Sequence, residues 1–168
     1  LIIAGPGIPA GQKIDNIVSI VDFYPTFVDM AGLDCPGALD GESLMPLLRG
    51  STSRTRDWAL ASFTGTTLNT TAWMLRKEDW KYIAYPGYAP QLFNLIEDPD
   101  EVHDLASERP EVVSRLDADL RRILDYDDAH ARCQAYNRDS FRVWRETVRR
   151  DGVRMKEYGM DCECATYG

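Results

Sequence analysis

The segment between Thr64 and Thr70 carries the strongest candidates for binding chemistry in the sequence. It offers hydroxyl groups at Thr64 and Thr66 and an amide at Asn69. Such groups donate and accept hydrogen bonds without a strong charge, which suits the orientation of a polar ligand such as a sugar. We therefore take Thr64, Thr66 and Asn69 as candidate substrate-binding residues. Asn69-Thr70-Thr71 is also an N-glycosylation sequon, and the two interpretations of Asn69 compete.

Basic and aromatic side chains that could also contact a substrate lie on both sides of this segment in the sequence. Arg76, Lys77 and Lys81 lie on or beside one predicted hairpin, where alternate residues share a face. They could present positive charge to an anionic substrate, or they could be solvated charges that protect a sheet edge. Three tryptophans could stack on a sugar or, as is more common, belong to the protein core. They are Trp58, Trp73 and Trp80.

The cysteines are even in number and widely spaced, at positions 35, 133, 162 and 164. Disulfides in any of three connectivities, or free thiols, are the simplest interpretation. The alternative is a zinc site made by His130 and the sulfurs of Cys133, Cys162 and Cys164, although a C-x-C pair is tighter than the usual zinc ligand spacing. Cys35 would then lie outside the site.

Two acidic features have both a structural and a chemical interpretation. The acidic cluster at residues 97–104 lacks the alternating ligands of a calcium loop, and Asp98 before Pro99 is typical of a turn whose carboxylate accepts backbone N–H groups. Its members are Glu97, Asp98, Asp100, Glu101 and Asp104. Asp22, three residues before Pro25, fits the start of a helix better than a catalytic carboxylate. As a helix cap alone, its loss in Asp22→Ala would cost roughly 1 kcal/mol.

Apolar patterns predict the elements that would hold these side chains. Residues 1–4 predict a buried strand of a parallel sheet whose other strands are not in this chain. Apolar residues at spacings of three and four predict a helix over residues 17–31. Residues 44–48 predict a second, short helix. Four aromatic-rich segments predict an antiparallel meander: 58–63, 72–76, 80–85 and 91–95.

Two further helices are predicted towards the end of the sequence. An apolar stripe after Pro110 predicts an amphipathic helix that lies on the sheet. A helix over residues 135–150 would bury Phe141, Trp144 and Val148, and no pattern is visible from residue 151 onwards.

Composition narrows the class of protein. The 168 residues are 44% hydrophobic and carry a formal net charge of −8, which suits a globular domain with a core and disfavours nucleic-acid binding. No run reaches the roughly 18 to 20 apolar residues that a membrane-spanning helix needs.

Two blocks of the sequence resemble the type I sulfatases. The first block comprises VSIVDFYPTFVDMAG at residues 18–32 and DGESLMPLL at residues 40–48. The second block comprises MLRKEDWKYI at residues 74–83 and LFNLIEDPDE at residues 92–101. Several shorter segments are most similar to a lysosomal subfamily that acts on 2-sulfated glucuronate of glycosaminoglycans, although Thr64 stands where that subfamily has a histidine.

The resemblance implies an α/β fold of the alkaline-phosphatase-like sulfatase type. Residues 1–50 would end the main α/β domain. Residues 51–128 would form a C-terminal α+β subdomain, a four-stranded antiparallel sheet packed by a helix, and residues 129–168 a helical extension and tail.

The family hydrolyses sulfate esters with a formylglycine, made from the first residue of a Cys-x-Pro-x-Arg motif, beside a calcium ion. None of the four cysteines lies in such a motif, so the resemblance implies that neither group is supplied by this chain. Its partners would be the upstream catalytic part of the same sulfatase and a sulfated carbohydrate. The chain alone is expected to be inactive.

Two other functions remain open at this point. One is a phosphoesterase or phosphonate hydrolase of the same superfold, because a shared fold does not determine which ester is cleaved. The other is a non-catalytic binding module. The expected location is lysosomal or secreted in a eukaryote and periplasmic or extracellular in a bacterium.

Overall fold

The structure is a computed structural model and describes residues 1–34, 37–51, 56–64 and 70–151. The chain divides into two compact units, Leu1–Leu124 and Asp125–Gly168. Among the described residues, no helix is both long and apolar enough to cross a membrane.

The buried strand predicted over residues 1–4 is not formed in this chain, and the sheet strands that it was expected to pair with are not part of it. These residues have no regular secondary structure, and Leu1 and Ile2 are 69% and 96% exposed. A strand needs a neighbour for its backbone hydrogen bonds, and none of the described strands lies beside this segment. Ile3 instead packs against the apolar cluster formed by the second helix.

The first predicted helix is confirmed in a shorter form. A 3₁₀ turn, Ile20–Asp22, leads into helix α1, Phe23–Met30. The helix ends as predicted at Gly32, which has a φ of +67° that glycine adopts without a steric cost. The N–H of Gly32 donates to Asp29 O and that of Leu33 to Val28 O, which is a Schellman ending.

The face that α1 buries differs from the predicted apolar stripe. Pro25 and Thr26 are buried, whereas Tyr24 and Phe27 are 54% and 64% exposed. The buried side faces the segment before helix α2, Met45–Leu48, because the N–H of Leu44 donates to Thr26 Oγ1 over 2.9 Å.

The antiparallel meander is confirmed. Its strands are β1 Trp58–Phe63, β2 Ala72–Lys77, β3 Trp80–Ala84 and β4 Gln91–Asn94, in that spatial order. Lys77 pairs with Trp80, so only Glu78 and Asp79 form the turn between β2 and β3. Glu78 has a φ of +52°, as such tight hairpins require at a central position.

Helix α3, Pro110–Ile123, packs on β2 and β3 as the apolar stripe predicts. Its Leu116 and Leu120 are fully buried. On the sheet side, Leu75 and Tyr82 occupy paired positions and are also buried. Because alternate residues of a strand share a face, this row forms the core between sheet and helix.

Helix α4, Tyr126–Asp151, is longer than the predicted helix over residues 135–150. Its earlier start follows from Asp125, whose Oδ1 accepts the N–H of Asp128 over 3.0 Å. The predicted burial of Phe141 and Trp144 is wrong, because these side chains are 58% and 41% exposed. Val148 is half-buried.

Candidate functional site

The segments around Asp22 that resemble the sulfatases meet at one buried carboxylate. Asp22 is completely inaccessible to solvent. Its Oδ2 accepts the N–H of Ser19 over 2.8 Å, and its Oδ1 accepts the N–H of Glu42 over 3.0 Å. The Arg56 guanidinium donates to the same Oδ1. Asp22 is therefore held by three segments of the chain and has no access to a substrate.

Arg56 reaches this carboxylate from the segment before β1. Its Nη1 donates to Asp40 O over 2.9 Å, and its guanidinium lies 5.3 Å from the ring centroid of Trp58. The side chain is only 8% exposed, so the charge is paired out of contact with water. A buried ion pair of this kind is costly to break from one side, because the remaining charge is left without compensation.

Gly41 allows the two segments to approach. A Cβ atom at this position would stand 2.0 Å from Val21 O and 2.5 Å from Val21 C, both of which are backbone atoms. No side chain fits there without a shift of the backbone. We refer to Asp22, Gly41, Glu42 and Arg56 as the Asp22 cluster.

Hydroxyl groups extend the same connection towards α2. Thr26 Oγ1 donates to Asp22 O over 2.5 Å while it accepts the N–H of Leu44. Ser43 Oγ donates to Asp29 Oδ2 over 2.6 Å and accepts the N–H of Met45 over 3.2 Å. Asp29, Thr26 and Ser43 thus join α1 to α2 by hydrogen bonds.

The structural interpretation of Asp22 is confirmed, but a cap is only part of its role. Asp22 precedes α1 as predicted, but its side chain makes no cap bond to that helix and accepts instead the N–H of Ser19 at the start of the 3₁₀ turn. The ion pair with Arg56 was not predicted. The cost of removing Asp22 therefore rises from roughly 1 kcal/mol for a cap to about 3–5 kcal/mol for a broken buried pair. Gly41 lies in the segment at residues 40–48 that resembles the sulfatases, whereas no sequence pattern indicated a role for Arg56.

The candidate substrate loop is described only at its two ends. Thr64 follows β1 and is exposed, while Thr66 and Asn69 lie outside the described residues. At the other end Thr70 and Thr71 are buried. These two threonines anchor the base of the loop.

Two hydrogen bonds fix that base. Thr70 Oγ1 donates to Pro86 O over 2.8 Å, in the connection between β3 and β4. The indole N–H of Trp73 donates to Thr71 Oγ1 over 2.9 Å. The end of the loop that returns to β2 is therefore firmly held.

The basic residues near the hairpin are engaged by the protein. Lys77 Nζ lies 2.9 Å from Asp119 Oδ2 of α3, and this bond raises the pKa of Lys77 and lowers that of Asp119. Lys81 Nζ lies 2.5 Å from Glu101 Oε2. Arg76 Nη1 donates to Trp80 O over 3.2 Å.

These contacts overturn one interpretation of the basic residues and weaken the other. They are not edge charges, because β2 and β3 are the internal strands of the sheet. Pairing with carboxylates leaves Lys77 and Lys81 little charge for an anionic substrate, whereas Arg76 donates to a backbone carbonyl. Two of the tryptophans, Trp58 and Trp73, contact protein groups, as expected of structural residues, and all three are half-buried.

The acidic segment is a turn, as predicted. Asp98 Oδ2 accepts the N–H of His103 over 2.8 Å, and this backbone bond lowers the pKa of Asp98. Asp104 Oδ1 accepts the N–H groups of Leu92 and Ala106, each over 3.0 Å. The carboxylates are thus used to hold the chain next to β4.

Of the four residues of the zinc alternative, the structure describes His130 and Cys133. The thiol of Cys133 is half-buried and free, and Cys35, Cys162 and Cys164 lie outside the described residues. Within the described ranges, no group of three or more His, Cys, Asp or Glu side chains could hold a metal ion.

Comparison with known proteins gives this arrangement a family. Residues 1–126 match the sequence model described as N-sulphoglucosamine sulphohydrolase, C-terminal. The chain belongs to this sulfatase family. The matched residues include the Asp22 cluster, the sheet and α3.

Relatives of the sulfatase family are similar over most of the chain. Arylsulfatase K of Xenopus laevis is 40% identical over 159 residues, which is 88% of this chain and 30% of that protein. The chain thus spans about 30% of the length of the curated relatives it matches first. Arylsulfatase K is the subfamily that the shorter sequence segments resembled.

Two solved structures share the fold, which confirms the alkaline-phosphatase-like class. A 2-O GAG sulfatase is 27% identical with a TM-score of 0.65, over 71% of this chain and 28% of that one. The phosphonate monoester hydrolase of Agrobacterium radiobacter is 26% identical with a TM-score of 0.58, over 67% of this chain and 26% of that one.

The sulfatase cofactors do not fit the residues that the structure describes. No Cys-x-Pro-x-Arg motif occurs in the sequence, and the described carboxylates that cluster are occupied by backbone N–H groups or by arginine and lysine. No step of the chemistry is therefore assigned to a formylglycine or calcium ion held here.

The close approach at Gly41 generates a stability prediction. Gly41→Ala should lower the free energy of unfolding by about 1–3 kcal/mol, because the new methyl group must displace backbone atoms of Val21. Urea denaturation measures the change.

Gly5→Ala is the matched control, since its Cβ would meet only Ile8 Cδ1 at 3.9 Å. It should leave stability nearly unchanged. Equal effects of the two substitutions would contradict the packing assigned to Gly41.

Proposed function

We propose that the whole protein is a sulfuric ester hydrolase of the arylsulfatase type that acts on a sulfated sugar. The 40% identity to arylsulfatase K over 88% of this chain carries the proposal. The 2-O GAG sulfatase among its structural neighbours supports a glycosaminoglycan as the substrate class, with a 2-sulfated uronate as the specific group. The proposed location follows the family and is lysosomal or secreted in a eukaryote, or periplasmic or extracellular in a bacterium.

In this proposal the chain supplies the frame and not the reacting groups. Asp22 is buried and saturated with donors, and the described carboxylates of the acidic turn hold backbone. The formylglycine and calcium ion that the family uses would come from the upstream catalytic part, which is the proposed partner of this chain.

The loop after β1 is the part of the chain that we assign to substrate contact. Its base is held by Thr70 and Thr71, and Thr64 at its start is exposed. A firmly held end and an exposed hydroxyl at Thr64 are a suitable support for binding groups. Thr64, Thr66 and Asn69 would hold the sugar and not the transferred sulfuryl group.

A phosphonate monoester hydrolase is the second candidate function. It is supported by the Agrobacterium radiobacter enzyme, whose TM-score of 0.58 is close to that of the sulfatase neighbour. A fold of this class accommodates both esters, so substrate preference must decide between them.

The proposed activity is tested by comparing two small esters. The intact protein that carries this chain should hydrolyse p-nitrophenyl sulfate with a higher kcat/KM than a phenylphosphonate monoester. The 168-residue chain by itself should turn over neither, since it provides no nucleophile in the family's motif. A preference of the intact protein for the phosphonate would favour the second candidate.

The role of the loop is tested by replacing Thr64, Thr66 and Asn69 together with Ala in the intact protein. Because these groups would contact the sugar, kcat/KM for a sulfated oligosaccharide should fall by about tenfold or more, or roughly 1.4 kcal/mol. The value for p-nitrophenyl sulfate should stay within about twofold. Equal changes for both substrates would assign the loop a structural role only.

A further inference from the structure

Helix α4 carries a row of arginines on one side. Arg138, Arg142, Arg145 and Arg149 follow one another at spacings of four, three and four residues. Successive residues of an α-helix are about 100° apart, so these four lie within about 60° around the helix axis. They extend over about 16 Å of its length at 1.5 Å per residue. We call these four residues the arginine row.

The arginine row is exposed and largely uncompensated. All four side chains are exposed. Arg142 lies 3.3 Å from Asp139, and both of these side chains are more than 60% exposed, so the pair is weak. Within the described part of the chain, Arg138, Arg145 and Arg149 have no ion-pair or hydrogen-bond partner for their guanidinium groups. The row therefore concentrates positive charge on a protein whose formal net charge is −8.

An aromatic pair lies beside the row. Phe141 and Trp144 stack with ring centroids 5.6 Å apart and an interplanar angle of 28°. They are 58% and 41% exposed. On the helix they stand on one flank of the arginine row, while Asp139 and Glu146 stand on the other.

A row of guanidinium groups beside exposed aromatic rings suits a narrow, sulfated chain as a ligand. Guanidinium groups bind tetrahedral oxyanions through paired N–H donors, and exposed aromatic rings pack against the apolar faces of sugars. Duplex DNA, with one charge for about every 1.7 Å of its axis, would also meet the carboxylates on the flank of the row. A polysaccharide with wider charge spacing can follow the row without that repulsion.

We propose that the arginine row, with Phe141 and Trp144 beside it, is a binding surface for a sulfated polysaccharide. This inference rests on the proposed function, because a sulfated polymer is then the substrate. The surface holds the polymer by its sulfate groups without taking part in hydrolysis, and it raises the local concentration of substrate.

The first test is the affinity of the intact protein for heparin at several sodium chloride concentrations. Replacing Arg138, Arg142, Arg145 and Arg149 together with Gln should weaken binding at least about tenfold in low salt and make the salt dependence shallower, since fewer counterions are released. A matched variant removes four exposed arginines elsewhere and should change binding less than about twofold. Its substitutions are Arg49→Gln, Arg109→Gln, Arg122→Gln and Arg132→Gln.

The aromatic pair has a different expected signature. Phe141→Ala with Trp144→Ala should weaken heparin binding by a similar factor at every salt concentration, because stacking on a sugar releases no counterions. Circular dichroism of each variant verifies that α4 is retained. A shallower salt dependence in the aromatic variant would contradict the role given to these rings.

Several outcomes would overturn the inference. Equal losses in the row variant and the matched variant would show a general effect of charge. Undiminished binding of desulfated heparin, or equally tight binding of single-stranded DNA or phosphatidylserine vesicles, would remove the specificity for a sulfated polysaccharide.

Hydrolysis of p-nitrophenyl sulfate separates this inference from the proposed function. The row variant should turn over this small ester like the unaltered protein. If the unaltered protein hydrolyses the ester but does not bind heparin, the binding surface is refuted while the sulfatase proposal stands. If it does not hydrolyse the ester, the sulfatase proposal fails, and the surface fails with it as a substrate-binding device.

Discussion

The buried ion pair between Asp22 and Arg56 is the interaction on which the first unit of this protein depends. It joins the start of α1, the segment that carries Gly41 and Glu42, and the approach to β1. Two charges removed from water cost several kcal/mol each, and here the cost is offset by backbone N–H groups and by the carbonyl oxygen of Asp40. The pair thus links the helical segments to the sheet.

The other contacts of the first unit support the connection that the Asp22–Arg56 pair makes between the helical segments and the sheet. Gly41 leaves room for the backbone of Val21, and Thr26 and Ser43 continue the hydrogen bonds towards α2. After Arg56 the chain enters the meander, which α3 covers with Leu116 and Leu120. The residues that resemble the sulfatase pattern before residue 50 are therefore mainly structural.

Much of the fold could be predicted because its signals are local. The four strands are short segments with aromatic and apolar residues that lie between turn formers, and α3 has an apolar stripe after Pro110. The start of α4 was missed, although Asp125 provides a capping signal, because the residues after it have no apolar period. The strand predicted over residues 1–4 does not form here, since the strands that it was expected to pair with are not part of this chain.

The candidate site was less predictable because its contacts are distant in sequence. Arg56 lies 34 residues from Asp22, and no periodic pattern connects an arginine in a polar segment to a carboxylate before a helix. Lys77 and Asp119 are 42 residues apart and meet only because α3 crosses β2. The arginine row of α4 is the opposite case, since its helical spacing is visible in the sequence once the helix is known.

The coupling between Asp22 and Arg56 is the most direct measure of the central claim. Urea unfolding of this chain would be compared for Asp22→Ala, Arg56→Met, the double variant and the unaltered sequence. A structural ion pair predicts that Asp22→Ala alone costs about 3–5 kcal/mol, and that the double variant costs less than the sum of the single changes by about 2 kcal/mol or more. Additive losses, with a coupling energy below about 0.5 kcal/mol, would contradict the claim that this pair joins the segments of the fold.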